Sequence, residues 1–221
     1  MRHTHFDPVI TPVALASMCA ILLAALLSPE LTRSALFSLQ DGIVEYFAWL
    51  FSLTVTGVLV FTIWLAFSRY GDVRLGPDGS RPDYGWASWL AMLFCAGMGI
   101  GLVFFGVAEP VLHFLAPLTS QPETPDAARE ALRLSVFHWG VHAWGIYALV
   151  GLALALFHFR YGEPLAMRSL LQPWLGARTH RWQGKLIDTL AVLGTLFGLA
   201  TSLGLGASQI NAGLSRLVGI G

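Results

Sequence analysis

The chain has 221 residues, of which 55% are hydrophobic and 12% charged, with 23 glycines and 8 tryptophans. This composition is that of an integral membrane protein. Lysine plus arginine and aspartate plus glutamate number 13 each, so the zero net charge gives no indication of a nucleic-acid partner or an acidic substrate. Cys19 and Cys95 both lie in apolar runs and form neither a disulfide framework nor a metal motif.

Five apolar segments follow one another along the chain, and each can cross a bilayer as a helix. They cover residues 9–27, 43–67, 86–115, 132–159 and 186–217. The last three exceed the roughly 20 residues that a bilayer requires, so we expect them to be tilted, broken or partly outside the membrane. The pattern predicts an all-α integral membrane fold.

Basic residues are distributed unevenly between the connecting stretches. Residues 68–85 and 160–185 together hold eight Lys or Arg, whereas residues 28–42 and 116–131 together hold two. Under the positive-inside rule, this asymmetry places the N-terminus in the cytoplasm.

The first segment has an alternative interpretation as a cleaved signal peptide, because Met1-Arg2 precedes an apolar run with small residues. The run continues to Leu27, which is longer than the roughly 7 to 15 residues of a signal-peptide core. Pro8 and Pro12 also suit a first spanning helix, so that interpretation is favoured.

The third segment carries four glycines and an interior Glu-Pro pair. Its sequence AMLFCAGMGIGLVFFGVAEPVLHFLA, residues 91–116, has glycine at positions 97, 99, 101 and 106. Glycine costs roughly 1 kcal/mol relative to alanine in a helix interior, so the run predicts a helix that is locally unwound or closely approached by another group. Glu109-Pro110 predicts a helix break near the outer surface, and a proton-carrying Glu109 is the alternative.

Three aromatic residues of the fourth segment share one arc if the helix is continuous. At about 100° per residue, Trp139, Tyr147 and Trp144 fall at roughly 0°, 80° and 140°. An interfacial belt or ordinary packing is the alternative, but Tyr147 lies about 12 Å along the axis from Trp139, too deep for one belt. Stacked indole and phenol rings also suit a quaternary ammonium group, whose charge cannot donate a hydrogen bond.

Two histidines of the same segment, His138 and His142, are four residues apart, a spacing that metal-binding histidines use on a helix. They lie opposite the aromatic arc on the helical wheel, and no third ligand of the right type is apparent nearby. We therefore interpret them as hydrogen-bonded packing histidines.

Three longer stretches carry a family resemblance. AGMGIGLVFFGVAEP (96–110), HWGVHAWGIYALVGLAL (138–154) and GKLIDTLAVLGTLFGLATSLGLGASQINAGL (184–214) resemble successive parts of the betaine/choline/carnitine transporter family. The loop SRYGDVRLGPDGSRPDY (68–84) is similar to that family as well. The resemblance covers most of the chain after Ser68, in the family's order and spacing.

The resemblance implies a multi-pass secondary transporter of the inner (plasma) membrane, with a LeuT-type fold of twelve spanning helices and a five-plus-five inverted repeat. Residues 1–85 would form a cytoplasmic N-terminus and two peripheral helices, and residues 86–221 the first three helices of the leading repeat. The partner repeat would then be missing from this chain, which we expect to be a fragment of the transporter. The resemblance also implies a homotrimer in the lipid bilayer.

Substrate-binding roles implied by the resemblance fall on two groups, the glycines where the third helix unwinds and one half of an aromatic box around a trimethylammonium group. The glycines are Gly97, Gly99 and Gly101, and the aromatic residues are Trp139, Trp144 and Tyr147. The expected substrate is a glycine betaine-like compatible solute.

Sodium is the coupling ion that the resemblance implies. It assigns the backbone carbonyls of Cys95 and Met98 to one sodium site and the hydroxyl of Thr195 to a second. Leu199 stands where sodium-coupled members can have another threonine, which weakens the second site. Proton-driven choline carriers have aspartate at the position of Gly101, so this sequence favours sodium-coupled uptake of a zwitterion. Proton-coupled choline uptake and carnitine/betaine exchange are the alternatives.

Other protein classes have less support in the sequence. A cation channel would offer a carbonyl-lined filter loop or an acidic ring, and none is evident. An enzyme would need a titratable cluster, and Glu109, His113 and Asp188 are scattered along the chain. A structural membrane fragment without transport activity is the remaining alternative.

The charge asymmetry predicts the sidedness of individual positions. In a background lacking Cys19 and Cys95, single cysteines at Asp78 and Ala177 should resist a membrane-impermeant thiol reagent applied outside intact cells, because both lie in the basic connections. A cysteine at Thr124 should be labelled. Labelling of the Asp78 position from outside would contradict the orientation.

Overall fold

The computed structural model of the chain describes residues 7–219, apart from the side chains at positions 96–98 and 100. Its α-helices, in chain order, are α1 Ile10–Leu27, α2 Pro29–Phe67, α3 Trp86–Leu115, α4 Pro125–Trp139, α5 Val141–Ala155, α6 Met167–Leu170, α7 Gln172–Leu175 and α8 Trp182–Val218. A π-helical turn follows α5 at Leu156–Arg160, and short 3₁₀ turns lie at Arg69–Asp72 and Gly176–His180. No β-strand occurs in residues 7–219, so the all-α prediction is confirmed.

Within the described part of the chain, four helical stretches are long and apolar enough to cross a membrane. They are Ile10–Leu27, Pro29–Phe67, Pro125–Arg160 and Trp182–Val218. The remaining predicted segment is α3, a helix of 30 residues whose described apolar parts are Trp86–Cys95 and Gly101–Leu115.

The helices expose their apolar side chains. Among the described residues, the fully buried hydrophobic ones are the small alanines Ala14, Ala127 and Ala131, whereas leucine, phenylalanine and tryptophan side chains are largely exposed. An aqueous protein could not leave so much apolar surface uncovered. The surface therefore indicates a lipid environment, and the chain is a helical integral membrane protein.

The connection predicted at residues 28–42 is helical, because α2 begins at Pro29 and only Ser28 separates it from α1. Proline suits the first helical position, and Glu30 in the first turn complements the helix dipole. With 39 residues at about 1.5 Å each, α2 is roughly 58 Å long, about twice the hydrocarbon thickness of a bilayer. Part of α2 therefore extends beyond the hydrocarbon region.

Helix α3 is continuous through both features that predicted an interruption. The glycine stretch is helical, and Pro110 lies inside the helix, which continues to Leu115. Proline removes one backbone N–H, so the carbonyl of Gly106 loses its usual helical donor without ending the helix. The predicted break at Glu109-Pro110 is wrong, and the predicted unwinding at the glycines is not observed.

The fourth apolar segment, by contrast, is interrupted at Gly140, where α4 ends and α5 begins one residue later. A Cβ atom at Gly140 would lie 2.3 Å from the backbone oxygen of Val136, so the bend requires glycine. The continuous helical wheel assumed from the sequence is therefore wrong. Trp139 belongs to α4, whereas Trp144 and Tyr147 belong to α5.

The described residues fall into two compact units. The first contains the described residues up to Gly57 together with Arg74–Gly76 and Gly151–Phe197, and the second contains Val58–Val73, Pro77–Val150 and the described residues from Gly198 onward. In the first unit, Asp188 on α8 accepts a hydrogen bond of 3.0 Å from the backbone N–H of Arg168 and lies 3.4 Å from its guanidinium Nε.

The start of α1 is also held within the first unit. Asp7 accepts hydrogen bonds from the backbone N–H groups of Val9 and Ile10, at 2.8 and 3.1 Å. These hydrogen bonds lower the pKa of the Asp7 carboxyl, and Lys185, with its Nζ 3.3 Å away, adds to the effect. The contact ties the beginning of α1 to the first turn of α8.

In the second unit, α3 packs against α4, and Glu130 fixes the connection between them. Its buried carboxylate accepts hydrogen bonds of 2.5–3.0 Å from three backbone N–H groups and two hydroxyls. The donors belong to Leu118, Thr119 and Ser120. Thr124 caps α4 by accepting from the N–H of Ala127.

Candidate functional site

Two of the predicted substrate-binding residues, Gly101 on α3 and Trp139 at the end of α4, are in contact. A Cβ atom on Gly101 would lie 2.9 Å from Cζ3 and 3.0 Å from Cη2 of the Trp139 indole. The indole therefore occupies the space that a side chain at Gly101 would need. This is the close approach that the glycines predicted, and it occurs without unwinding of α3.

The Trp139 indole is held from two further sides. Its ring stacks on Phe105, with centroids 5.4 Å apart and an interplanar angle of 25°. Its Nε1–H donates a hydrogen bond to Oε2 of Glu109. One indole face is thus covered by protein, so Trp139 has less ring surface to offer a cation than a free-standing tryptophan.

Trp144 and Tyr147 form a second aromatic contact, on α5. Their ring centroids are 6.0 Å apart at an interplanar angle of 46°, and the residues are 38% and 53% exposed. Of the three predicted aromatic residues, the structure therefore brings together Trp144 and Tyr147, both on α5. Trp139, on α4, makes separate contacts.

Glu109, His113 and His138 form a polar cluster between α3 and α4. Oε1 of Glu109 contacts Nδ1 of His138 and lies 3.5 Å from Nε2 of His113. The rings of the two histidines are 5.9 Å apart. The interpretation of His138 as a hydrogen-bonded histidine agrees with this contact, and His142 packs on the ring of Phe137 at 4.6 Å.

This cluster was missed by the sequence reasoning. Glu109 and His113 are four residues apart on one helix, a spacing that places them on one face and that was available as a signal. His138 was assigned to the side opposite the aromatic residues, yet it and Trp139 contact the same carboxylate. Two consecutive residues at a helix end can bond the two oxygens of one carboxylate, although a helical wheel places them about 100° apart.

The residues predicted to bind sodium, together with the substrate-binding glycines Gly97 and Gly99, show no contact that indicates a ligand site in the described part of the chain. Cys95 is exposed on α3, and in an α-helix its carbonyl is engaged by the N–H four residues on. The surroundings of Gly97 and Met98 lie outside what the structure describes. Gly99 is partly exposed on α3. Thr195, on α8, donates its hydroxyl to the backbone oxygen of Ala191 at 2.9 Å and remains exposed.

Long apolar helices with exposed apolar surfaces, together with polar and aromatic clusters between them, define a helical multi-pass membrane protein. The comparison with known families gives a narrower class. The sequence model of the betaine/carnitine/choline family of transporters matches residues 9–221, so the chain belongs to that family.

Curated relatives of the family match nearly the whole chain. A glycine betaine transporter of Acinetobacter baylyi is 43% identical over 99% of this chain, and the glycine betaine transporter OpuD of Bacillus subtilis is 46% identical over 94%. A glycine betaine/proline/choline/ectoine transporter of Vibrio parahaemolyticus is 47% identical over 88%. The family and these relatives are transporters, not enzymes. The chain spans only 33%, 41% and 35% of their respective lengths.

The contact between Gly101 and Trp139 generates a stability prediction. Gly101→Ala forces a methyl group against an indole that Phe105 and Glu109 hold in place, and such overpacking typically costs about 1–3 kcal/mol. We expect the melting temperature of the purified protein in detergent to fall. Gly106→Ala is the matched control, because no neighbour in the part of the chain that the structure describes lies within 4 Å of its added Cβ, and alanine favours the helix. Equal melting temperatures for the two variants would contradict the contact.

Proposed function

We propose that the intact protein to which this chain belongs carries a quaternary-ammonium compatible solute, glycine betaine or a close analogue, across the plasma membrane. The observation that carries the proposal is the ring pair Trp144–Tyr147 on α5, in a chain that belongs to this transporter family. Several relatives are named for glycine betaine, and one also for proline, choline and ectoine.

The chemistry of the ring pair suits such a solute. A trimethylammonium group offers no N–H to a hydrogen-bond acceptor, so it binds best against aromatic faces. Trp144 and Tyr147 both keep exposed ring surface that a solute or a further helix can reach. In this proposal they form one part of the box, and Trp139 shapes the site mainly by covering Gly101.

The absence of a carboxylate at Gly101 favours a zwitterionic substrate. Glycine betaine brings its own carboxylate, which a fixed negative charge beside the site would repel. Choline has no carboxylate and would gain from such a charge. The space beside Gly101 is occupied by the Trp139 indole, so no acidic side chain could be added there without displacing it.

Sodium coupling is the finer part of the proposal. It needs carbonyl oxygens of Cys95 and Met98 that are released from helical hydrogen bonds, so α3 would have to open at the glycine stretch during the cycle. Three glycines at alternate positions lower the cost of that opening. The hydroxyl oxygen of Thr195 keeps lone pairs available after its bond to Ala191. We further propose that the N-terminus is cytoplasmic and that the protein forms a homotrimer.

The ring pair generates an affinity prediction. In the intact transporter, Trp144→Ala removes one cation–π face worth about 0.5 to 2 kcal/mol, so the apparent affinity for glycine betaine should fall roughly two- to thirtyfold. Uptake of radiolabelled betaine measures it. Trp174→Ala is the control, because that indole is 79% exposed on α7 and has no assigned role. Wild-type affinity in Trp144→Ala and Tyr147→Ala would show that both rings serve packing alone.

The coupling ion generates a second prediction. Proteoliposomes of the intact protein should accumulate glycine betaine on an imposed sodium gradient at constant pH. A proton gradient without sodium should have no effect, because no carboxylate stands at Gly101 to carry the proton. Uptake that follows the proton gradient and ignores sodium would favour proton-coupled choline-type transport, and exchange of preloaded carnitine without either gradient would favour the exchanger. Residues 1–221 alone should give no uptake, since the proposed site needs the partner repeat.

A further inference from the structure

We propose that Glu109, His113 and His138 form a binding site for a divalent transition-metal ion, best suited to Zn²⁺, that links α3 to α4. None of these three side chains is assigned to substrate or sodium in the proposed transport function, although Glu109 also accepts a hydrogen bond from Trp139, which covers Gly101. The site depends on the side chains of the second unit alone, so it can be tested without any transport assay.

The geometry places three ligand atoms around one point. One ligand atom from each residue lies within 4.8 Å of those of the other two. Zinc takes nitrogen and oxygen ligands at about 2.0–2.2 Å, so two ligands of a tetrahedral site are roughly 3.3 Å apart. Oε1 of Glu109 and Nε2 of His113 are already 3.5 Å apart. His138 would have to withdraw slightly from the carboxylate, and its side chain, 48% exposed, has room to do so.

The donor set selects the metal. Two imidazole nitrogens and one carboxylate oxygen are a known three-ligand set for zinc, with a fourth position open to water. Mg²⁺ and Ca²⁺ prefer sites made of oxygen ligands alone, so they should compete poorly. The Glu109 and His113 side chains are only 12% and 21% exposed, whereas His138 leaves the cluster open on one side.

Trp139 supplies the orienting hydrogen bond that metal-binding carboxylates usually have. Its Nε1–H donates to Oε2 of Glu109, which leaves Oε1 directed at the two histidines. The indole is itself fixed by its stacking on Phe105. Such outer partners commonly change metal affinity by about 10- to 100-fold when they are removed.

The competing explanation is a hydrogen-bonded clasp without a metal ion, in which Glu109 pairs with His138 and Trp139 but not with His113. The two explanations differ at His113. In the clasp, His113 lies 3.5 Å from the carboxylate and contributes little, whereas in the metal site it is one of three ligands. His113→Ala is therefore the decisive variant, and it leaves the contacts of Glu109 with His138 and Trp139 in place.

The experiment is a Zn²⁺ titration of the purified intact protein in detergent, without a histidine tag, by calorimetry and by competition with a chelating dye. We expect the wild type to bind one equivalent that His113→Ala, His138→Ala and Glu109→Gln each lose, and that excess Mg²⁺ does not displace. Trp139→Phe should keep the equivalent with about 10- to 100-fold lower affinity. Four-coordinate Co²⁺, followed by its visible absorption, should report the same variants.

His142→Ala is the matched control, because this histidine is four residues from His138 but packs on Phe137. It should bind Zn²⁺ like the wild type, and size-exclusion profiles should show that every variant is folded. The site would be disproved if the wild type bound no zinc, if His113→Ala retained the full equivalent, or if His142→Ala lost it. Unchanged affinity in Trp139→Phe would remove the orienting role from Trp139.

Discussion

The carboxylate of Glu109 is the group on which the pairing of α3 and α4 depends. A carboxylate on an otherwise apolar helix must have polar partners, because leaving it unpaired away from water is costly. The partners are the Trp139 indole N–H and the His138 imidazole, both from the last turn of α4. Their bonds hold the end of α4 against α3, and this position also brings the Trp139 ring over Gly101.

A second carboxylate, Glu130, acts in the same way near the start of α4. It collects five hydrogen-bond donors from the connection that leaves α3. One carboxylate lies on each helix, and each is bonded to groups outside its own helix. The two helices therefore cannot slide past each other without leaving polar groups unpaired. Ala127 and Ala131 on α4 are small and buried.

The glycines of α3 have two different uses in this arrangement. Gly101 makes room for an indole, while no atom of the described residues lies within 4 Å of a Cβ added at Gly99 or Gly106. A continuous α3 helix provides the room for the indole at Gly101, but it does not free any backbone carbonyl. The proposed carbonyl sites at Cys95 and Met98 would instead need the helix to open, and the low helix preference of glycine makes such an opening less costly. The transport proposal therefore involves a second conformation of α3 besides the continuous helix described here.

The sequence by itself determined the solvent, the helical class, four of the apolar spans and the family, because hydropathy and motifs are properties of residues along one stretch of chain. It also placed a close approach at the glycines. It did not predict that α2 absorbs the connection before it, that Pro110 stays within α3 or that Gly140 divides the fourth segment. Those outcomes depend on contacts with neighbouring backbone and on the hydrogen bonds available at each helix boundary, which the residue pattern alone does not show.

Only the tertiary structure decided that Glu109, His113, His138 and Trp139 meet. The meeting joins two stretches about 30 residues apart and depends on which turn of α4 faces Glu109. A wheel drawn through Gly140 gave the wrong faces, since the helix changes course there. Local pattern indicates which stretches are apolar and helical, whereas partners across helices follow from the register that the two carboxylates impose.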